Sequence, residues 1–170
     1  MKKQFIKQNA PFDRNASASP AIRFRRTFFL PEHPVRARLS VCGLGYGYYY
    51  INGKSVTSDL FTAATSDYDK TLWYNMYDVT PLLQAGENAV CAILENGFFN
   101  ENFPTPWRHN EAPWRDAPKL ALELDIDGRI VGVNELWKCK PDPGMYYNQL
   151  RSGEYFDATM YEENWNTLGY

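Results

Sequence analysis

The chain has 170 residues, 44% hydrophobic and 16% aromatic, with 18 basic and 20 acidic side chains and a net charge of −2. A chain of this length makes one domain that buries roughly 70% of the surface it exposes when unfolded, so it needs no metal or disulfide to fold. Near-neutral charge argues against a nucleic-acid surface, and no run approaches the ~18 apolar residues of a membrane helix, so neither nucleic acid nor membrane is expected as a partner.

Residues 1–20 mix Pro, Ser, Asn and Ala and read as an irregular lead-in laid over a domain that occupies residues 21–170. Their start, M-K-K-Q-F-I-K-Q-N-A, has charges but no apolar h-region. The expected location is cytoplasmic for the chain as it stands, and periplasmic or extracellular if a leader has been removed. Cys42, Cys91 and Cys139 lack zinc-site spacing and cannot all pair, so they read as free core residues.

Ile22, Phe24 and Phe28 alternate with polar neighbours in a first strand that stops at Pro31 and Pro34. Val35 to Val41 is the second, with Val35, Ala37, Leu39 and Val41 facing inward and Arg36 and Arg38 toward solvent. Gly43, Gly45 and Gly47 mimic a nucleotide loop, but no helix pattern follows, so they read as sites of tight turning or close packing. Asn52-Gly53 joins two β-rich runs as a type I′ hairpin turn. Thr80 is placed as the cap of a helical turn, with Pro81 at its first position and Gly86 closing it. Asn88 to Leu94 is almost wholly apolar and reads as a central strand. Leu120, Leu122, Leu124 and Ile126 share one face of a strand that turns at Asp127-Gly128 into Arg129 to Val133.

Between these strands, residues 95–118 hold Pro104, Pro106, Pro113 and Pro118 among Phe98, Phe99, Phe103, Trp107 and Trp114. A long loop without its own secondary structure is usually functional or disordered, and the prolines and tryptophans point to a stiff, packed loop. Near the end, Trp165 is read as cover for a sheet edge.

The order of these parts resembles the N-terminal β-sandwich domain of bacterial α-L-rhamnosidases. The matching residues are Gly43 to Tyr46, Ile51 to Lys54, Ser66 to Lys70, Tyr77 to Thr80 with Leu82-Leu83, Gly86 to Asn88, Asn96 to Phe99, and Gly153 to Ala158. The hairpin and the D-V-T-x-L-L-x-x-G-E-N segment also occur in sugar-binding sandwiches of β-galactosidase-like enzymes, whereas T-S-D-Y-D-K and G-E-Y-F-D-A narrow the resemblance to the rhamnosidase group. The resemblance implies an all-β, galactose-binding-like jelly roll. It also implies a non-catalytic accessory domain whose parent enzyme carries its catalytic acids in a separate helical barrel. Versions of the resembled domain that bind sugar can hold a calcium ion. This chain lacks a dense D-x-D-x-D-G acidic loop, so calcium is an option here and no cofactor is required.

A pyranose offers an apolar C–H face and vicinal hydroxyls, which Trp, Tyr or Phe can stack against and Asp, Asn or Arg can bond. On that chemistry Phe98, Trp107 and Trp114 are candidate stacking residues, Asn96 and Arg108 candidate hydroxyl ligands, and Asp67 and Asp116 candidates for hydroxyls or an ion. The bland alternative, in which the two tryptophans simply plug the end of the sandwich, stands beside it. The expected partners are L-rhamnose or a rhamnose-containing glycan and the catalytic domain of the parent enzyme; a structural brace without sugar binding is the alternative. The sequence contains no nucleophile elbow, phosphate loop or H-E-x-x-H helix, and the Asp67/Asp69 spacing alone is weak evidence for a glycosidase pair.

Overall fold

The computed structural model describes residues 4–16 and 19–170. Eleven strands follow in order: β1 (Ile22–Leu30), β2 (Ala37–Leu44), β3 (Tyr46–Ile51), β4 (Lys54–Ser55), β5 (Asn75–Asp78), β6 (Gly86–Glu95), β7 (Lys119–Ile126), β8 (Arg129–Gly132), β9 (Lys138–Pro141), β10 (Met145–Gln149) and β11 (Gly153–Phe156). They form a five-stranded sheet ordered β4-β3-β6-β1-β9, a four-stranded sheet ordered β5-β2-β7-β8, and a separate β10-β11 hairpin. Among the described residues the helical content is two 3₁₀ turns, Thr80–Leu82 and His109–Glu111. No described helix is long and apolar enough to cross a membrane.

Alternation along the strands builds the core. In the five-stranded sheet Ile22 lies opposite Leu94 and Phe24 opposite Ala92, with Tyr49 on the other side of Ala92. These side chains meet Leu39, Val41, Leu120, Leu122, Leu124 and Ile126 of the facing sheet in one buried cluster. The central β6 is apolar throughout its middle because sheet core covers one face and the chain's last residues cover the other: Trp165, only 4% exposed, packs on Ala89 and Cys91. Trp165 therefore covers a sheet face rather than the expected edge. Cys42 and Ala121, on the outer face of the four-stranded sheet, are covered by Phe99 with Tyr68 and Trp114 packed against them. All three cysteines are free, and burial pushes the Cys42 thiol up to about 11 and that of Cys91 up to about 12.

Both hairpin turns have positive φ at two successive residues, 51° and 80° at Asn52-Gly53 and 49° and 88° at Asp127-Gly128, as type I′ turns require. The start of β2 differs from expectation, since Val35 is 90% exposed. The N–H groups of Val35 and Arg36 donate to the Asp127 carboxylate at 3.0 and 2.8 Å, which ties them to the β7-β8 turn and delays the strand to Ala37. Thr80 also departs from its expected role. Its hydroxyl accepts from the Ala37 N–H at 2.8 Å and donates to Asp78 at 2.7 Å, while Val79 precedes the turn and makes no side-chain cap. Gly86, at φ 93°, opens β6 rather than closing a helix.

The described part of the lead-in runs along the domain. Ile6 exchanges backbone hydrogen bonds with Leu120 at 2.9 Å, and Arg14 donates to the carbonyls of Ala112 and Arg115.

Candidate functional site

The seven residues read from sequence do not converge on one cavity. Asn96 is fully buried; its backbone N–H donates to Asn148 Oδ1 at 2.7 Å, and its side-chain amide donates to the carbonyls of Ser19 and Asn148. It holds β10 against the end of β6 and offers nothing to solvent. Phe98 is half-buried and meets His109 edge-on at 5.4 Å. Trp114 packs beside Tyr68 at 5.9 Å on the outer face of the four-stranded sheet. Asp116 accepts from both Lys7 and Lys119 at 2.8 Å. Burial works to raise its pKa, but the hydrogen bonds from Lys119 and Lys7 outweigh it and hold the carboxyl below its usual range. Arg108, at φ 56°, is exposed and paired with Glu111 at 2.5 Å. Asp67 is exposed and paired with Lys70 at 3.0 Å. Calcium takes six to eight oxygens, preferably with several carboxylates. Among the described residues no three His, Cys, Asp or Glu side chains gather in a metal-binding cluster, so the side chains around Asp67 give calcium no carboxylate-rich shell.

Trp107 is the exception in position. Its ring is 66% exposed and lies under the Arg151 guanidinium, 4.8 Å from centroid to Cζ. Arg151 follows Gln149 and Leu150 in the β10-β11 turn, and those two residues line a cavity of about 380 Å³ that the loop reading missed. Tyr46 and Phe61, edge-to-face at 5.2 Å, form one wall of this cavity, and Glu95, Gln149 and Glu154 supply polar groups.

Backbone geometry makes this cavity. At Gly45 (φ 117°) a Cβ would strike the Glu95 carbonyl, and at Gly97 (φ 51°) it would lie 3.1 Å from the Tyr46 nitrogen. The glycines thus let the β2-β3 corner and the end of β6 close on each other. Asn148, 2% exposed and bonded to Asn96, fixes β10 so that the next residue, Gln149, reaches the cavity. Gln149 is 4% exposed, yet neither Nε2 nor Oε1 has a hydrogen-bond partner. A buried primary amide left unpaired costs on the order of 1–3 kcal/mol, which is offset when a ligand supplies both a donor and an acceptor. Glu95 is 5% exposed, and burial, together with the neighbouring and hydrogen-bonded Glu154 carboxyl, pushes its pKa up to about 7. In sequence these groups are scattered over residues 46–154; three of the motifs reach them, Gly43 to Tyr46 through Tyr46, Asn96 to Phe99 through Gly97, and Gly153 to Ala158 through Gly153 and Glu154.

The two packed sheets define a jelly-roll sandwich of the galactose-binding kind. Residues 32–170 match the model of the α-L-rhamnosidase N-terminal domain, and the chain belongs to that family. An α-L-rhamnosidase from Formosa agariphila is 31% identical over 156 residues, which are 86% of this chain and 16% of that protein. The α-L-rhamnosidase of Aspergillus terreus superposes with a TM-score of 0.87 at 25% identity, over 98% of this chain and 20% of that one. That of Streptomyces avermitilis, solved in complex with L-rhamnose, superposes with a TM-score of 0.81 at 30% identity, over 90% of this chain and 15% of that one. The chain thus spans less than a fifth of the length of the curated relatives it matches.

Proposed function

We propose that this domain is a non-catalytic accessory module of an α-L-rhamnosidase-like glycoside hydrolase, and that it binds L-rhamnose or a related neutral sugar weakly in the cavity between Tyr46, Phe61 and Gln149. The observation that carries this reading is the Gln149 amide, buried and unpartnered at the wall of a cavity whose other side is aromatic. A primary amide presents a donor and an acceptor together, which matches two adjacent hydroxyls, while the rings of Tyr46 and Phe61 suit an apolar sugar face. The rhamnose complex of the Streptomyces avermitilis relative supports the choice of sugar. A shallow monosaccharide site of this kind has a dissociation constant of about 0.1–1 mM, about 4–5.5 kcal/mol.

Hydrolysis by the domain itself is disfavoured by the same geometry. The two carboxyls of the cavity, Glu95 and Glu154, are hydrogen-bonded to each other, whereas glycosidase pairs stand roughly 5–9.5 Å apart to admit a sugar or a water.

An NMR titration of the domain with L-rhamnose, with calcium present and then chelated, tests the reading and the ion together. Shifts centred on Gly97, Gln149 and Gly153, lost in Gln149→Ala, are expected. Shifts confined to residues 98–118 would move the site to the loop. Silence up to tens of millimolar sugar, on the order of 2–3 kcal/mol or weaker, would leave the structural brace. One observation favours that second reading: Tyr146, Tyr155 and Phe156 of the β10-β11 hairpin are 54%, 56% and 52% exposed, a surface suited to packing on a catalytic barrel.

A further inference from the structure

The register of the five-stranded sheet sets like charges against each other at one edge. Arg25 of β1 lies directly opposite Lys138 of β9, and Arg23 opposite Lys140. Like charges placed so are destabilising, and only one of the two pairs is neutralised. Asp142 accepts from Arg23 Nε at 2.5 Å, and Glu162 accepts from Arg23 Nη1 at 3.0 Å and from Lys140 at 2.6 Å. Arg25 makes one hydrogen bond, from Nη2 to the Thr167 carbonyl at 2.9 Å, and no acidic partner of Arg25 or Lys138 is present among the described residues.

This unneutralised pair opens on a cavity of about 340 Å³ bounded by Arg23, Arg25, Lys138, Lys140, Trp165 and Tyr170. Two guanidinium nitrogens of these lining residues are buried without a hydrogen-bond partner, Nη2 of Arg23, a residue only 2% exposed, and Nε of Arg25. The Tyr170 ring stands beside the cations, 5.8 Å from Arg25 Cζ and 5.4 Å from Lys140 Nζ. It shares no lining residue with the cavity of Gln149.

We infer that this cavity is a second binding site, for a sugar residue carrying an anionic group, either a carboxylate or a sulfate ester. A planar or tetrahedral oxyanion accepts from adjacent guanidinium N–H groups and gains a further charge-assisted contact from Lys138, which suits arginine more than any other side chain. The ring of Tyr170 is placed to contact the sugar that carries the anion. The surplus of charge is local, within a chain of net charge −2, and so fits a single anionic group rather than a polyanion such as nucleic acid.

The test is a titration of the 170-residue chain with sodium glucuronate and, separately, glucose 6-sulfate, followed through the Arg25 Nε–H and Trp165 indole resonances, with glucose as the uncharged control. Saturable shifts with one or both anions and none with glucose are expected, and the two arms show which anion is preferred. Inorganic sulfate should compete. Arg25→Gln and Lys138→Gln should each weaken binding roughly tenfold, while Arg38→Gln, on the other sheet, should leave it unchanged. Thermal melts separate binding from folding, because removing one of two opposed cations should leave the melting temperature of Lys138→Gln equal or higher. The inference is overturned if the anions shift these signals no more than glucose does, if neither variant changes their affinity, or if Lys138→Gln melts markedly lower and thus serves the fold.

Discussion

The guanidinium carbon of Arg23 lies 4.8 Å from the centroid of the Trp165 ring, so a residue of the first strand and one near the chain's end are stacked against each other over the outer face of β6. Both are buried, at 2% and 4% exposure. The contact joins cation and ring where little water competes, the setting in which such pairs are strongest. It also completes the burial of Ala89 and Cys91, which lie under Trp165.

Trp165→Ala should therefore lower stability by about 3–5 kcal/mol, the range for deleting a buried large aromatic. Trp165→Phe, which keeps a ring, should cost less than half of that. Urea denaturation followed by circular dichroism measures both. Equal losses for the two variants would refute this account, because a phenyl ring retains much of both the apolar cover and the contact with Arg23.

Asp142 fixes the same arginine from the other side. One carboxylate oxygen accepts from Arg23 Nε at 2.5 Å, and the other accepts the backbone N–H groups of Gly144 and Met145, both at 2.8 Å. Asp142→Ala strips a buried cation of its chief partner and frees the entry to β10, so a loss of about 3–5 kcal/mol is expected. The double variant Arg23→Met, Asp142→Leu should recover part of it, because the pair's desolvation cost disappears with the pair. Additive losses in that double variant would show the two residues to act independently.

Seven strands of the two packed sheets, β1 to β4 and β6 to β8, were legible in the sequence because their signals are local, whereas the four-residue strands β5 and β9 were not read. Perfect alternation in Leu120 to Ile126 and the two turn dipeptides fix faces and connections without reference to the rest of the chain. Thr80 misled because its neighbour in space is Ala37, 43 residues away, whose N–H takes the hydroxyl that a cap would have used. Val35 misled in the same manner through Asp127. The cavity of Gln149 was out of reach for a similar reason. Its groups come from β3, the segment after β4, the end of β6 and the β10-β11 hairpin, and which of Asn96, Asn148 and Gln149 would face inward depended on a pairing of two asparagine amides.

Asn52 shows how two sequence motifs become one structural unit. Beyond its positive φ, its side-chain amide donates to the Leu82 carbonyl at 3.0 Å and to Asn88 Oδ1 at 2.8 Å, and its oxygen accepts from the Ala89 N–H at 2.8 Å. The I-N-G-K hairpin and the G-E-N segment are thus bonded to each other through Asn52 and Asn88. Asn52→Gly keeps a residue suited to the turn and removes only the side chain, so the expected loss of about 2–3 kcal/mol reports the orphaned partners. At the other hairpin, Asp127→Gly loses two exposed bonds to Val35 and Arg36 and should cost about 1 kcal/mol. Comparable losses at the two sites would refute the distinction between buried and exposed partners.

Glu95 makes stability fall as pH rises. Its ordinary value is 4.5, and in the folded domain burial, followed by the charge of Glu154 and the hydrogen bond to it, raises the carboxyl to about 7. Below pH 4.5 the group is protonated in both folded and unfolded chains, so its contribution is fully present there. Between 4.5 and about 7 the unfolded chain releases the proton that the folded one retains, and the contribution is lost progressively, complete above about 7. The loss amounts to on the order of 3 kcal/mol. Glu95→Gln keeps the shape and a hydrogen bond to Glu154 but cannot ionise, so its stability should match the parent near pH 5, exceed it near pH 8, and show a flatter profile in between. Chemical denaturation across that range measures the slope, and parallel profiles for parent and variant would show that the carboxyl pair does not share a proton in the folded domain.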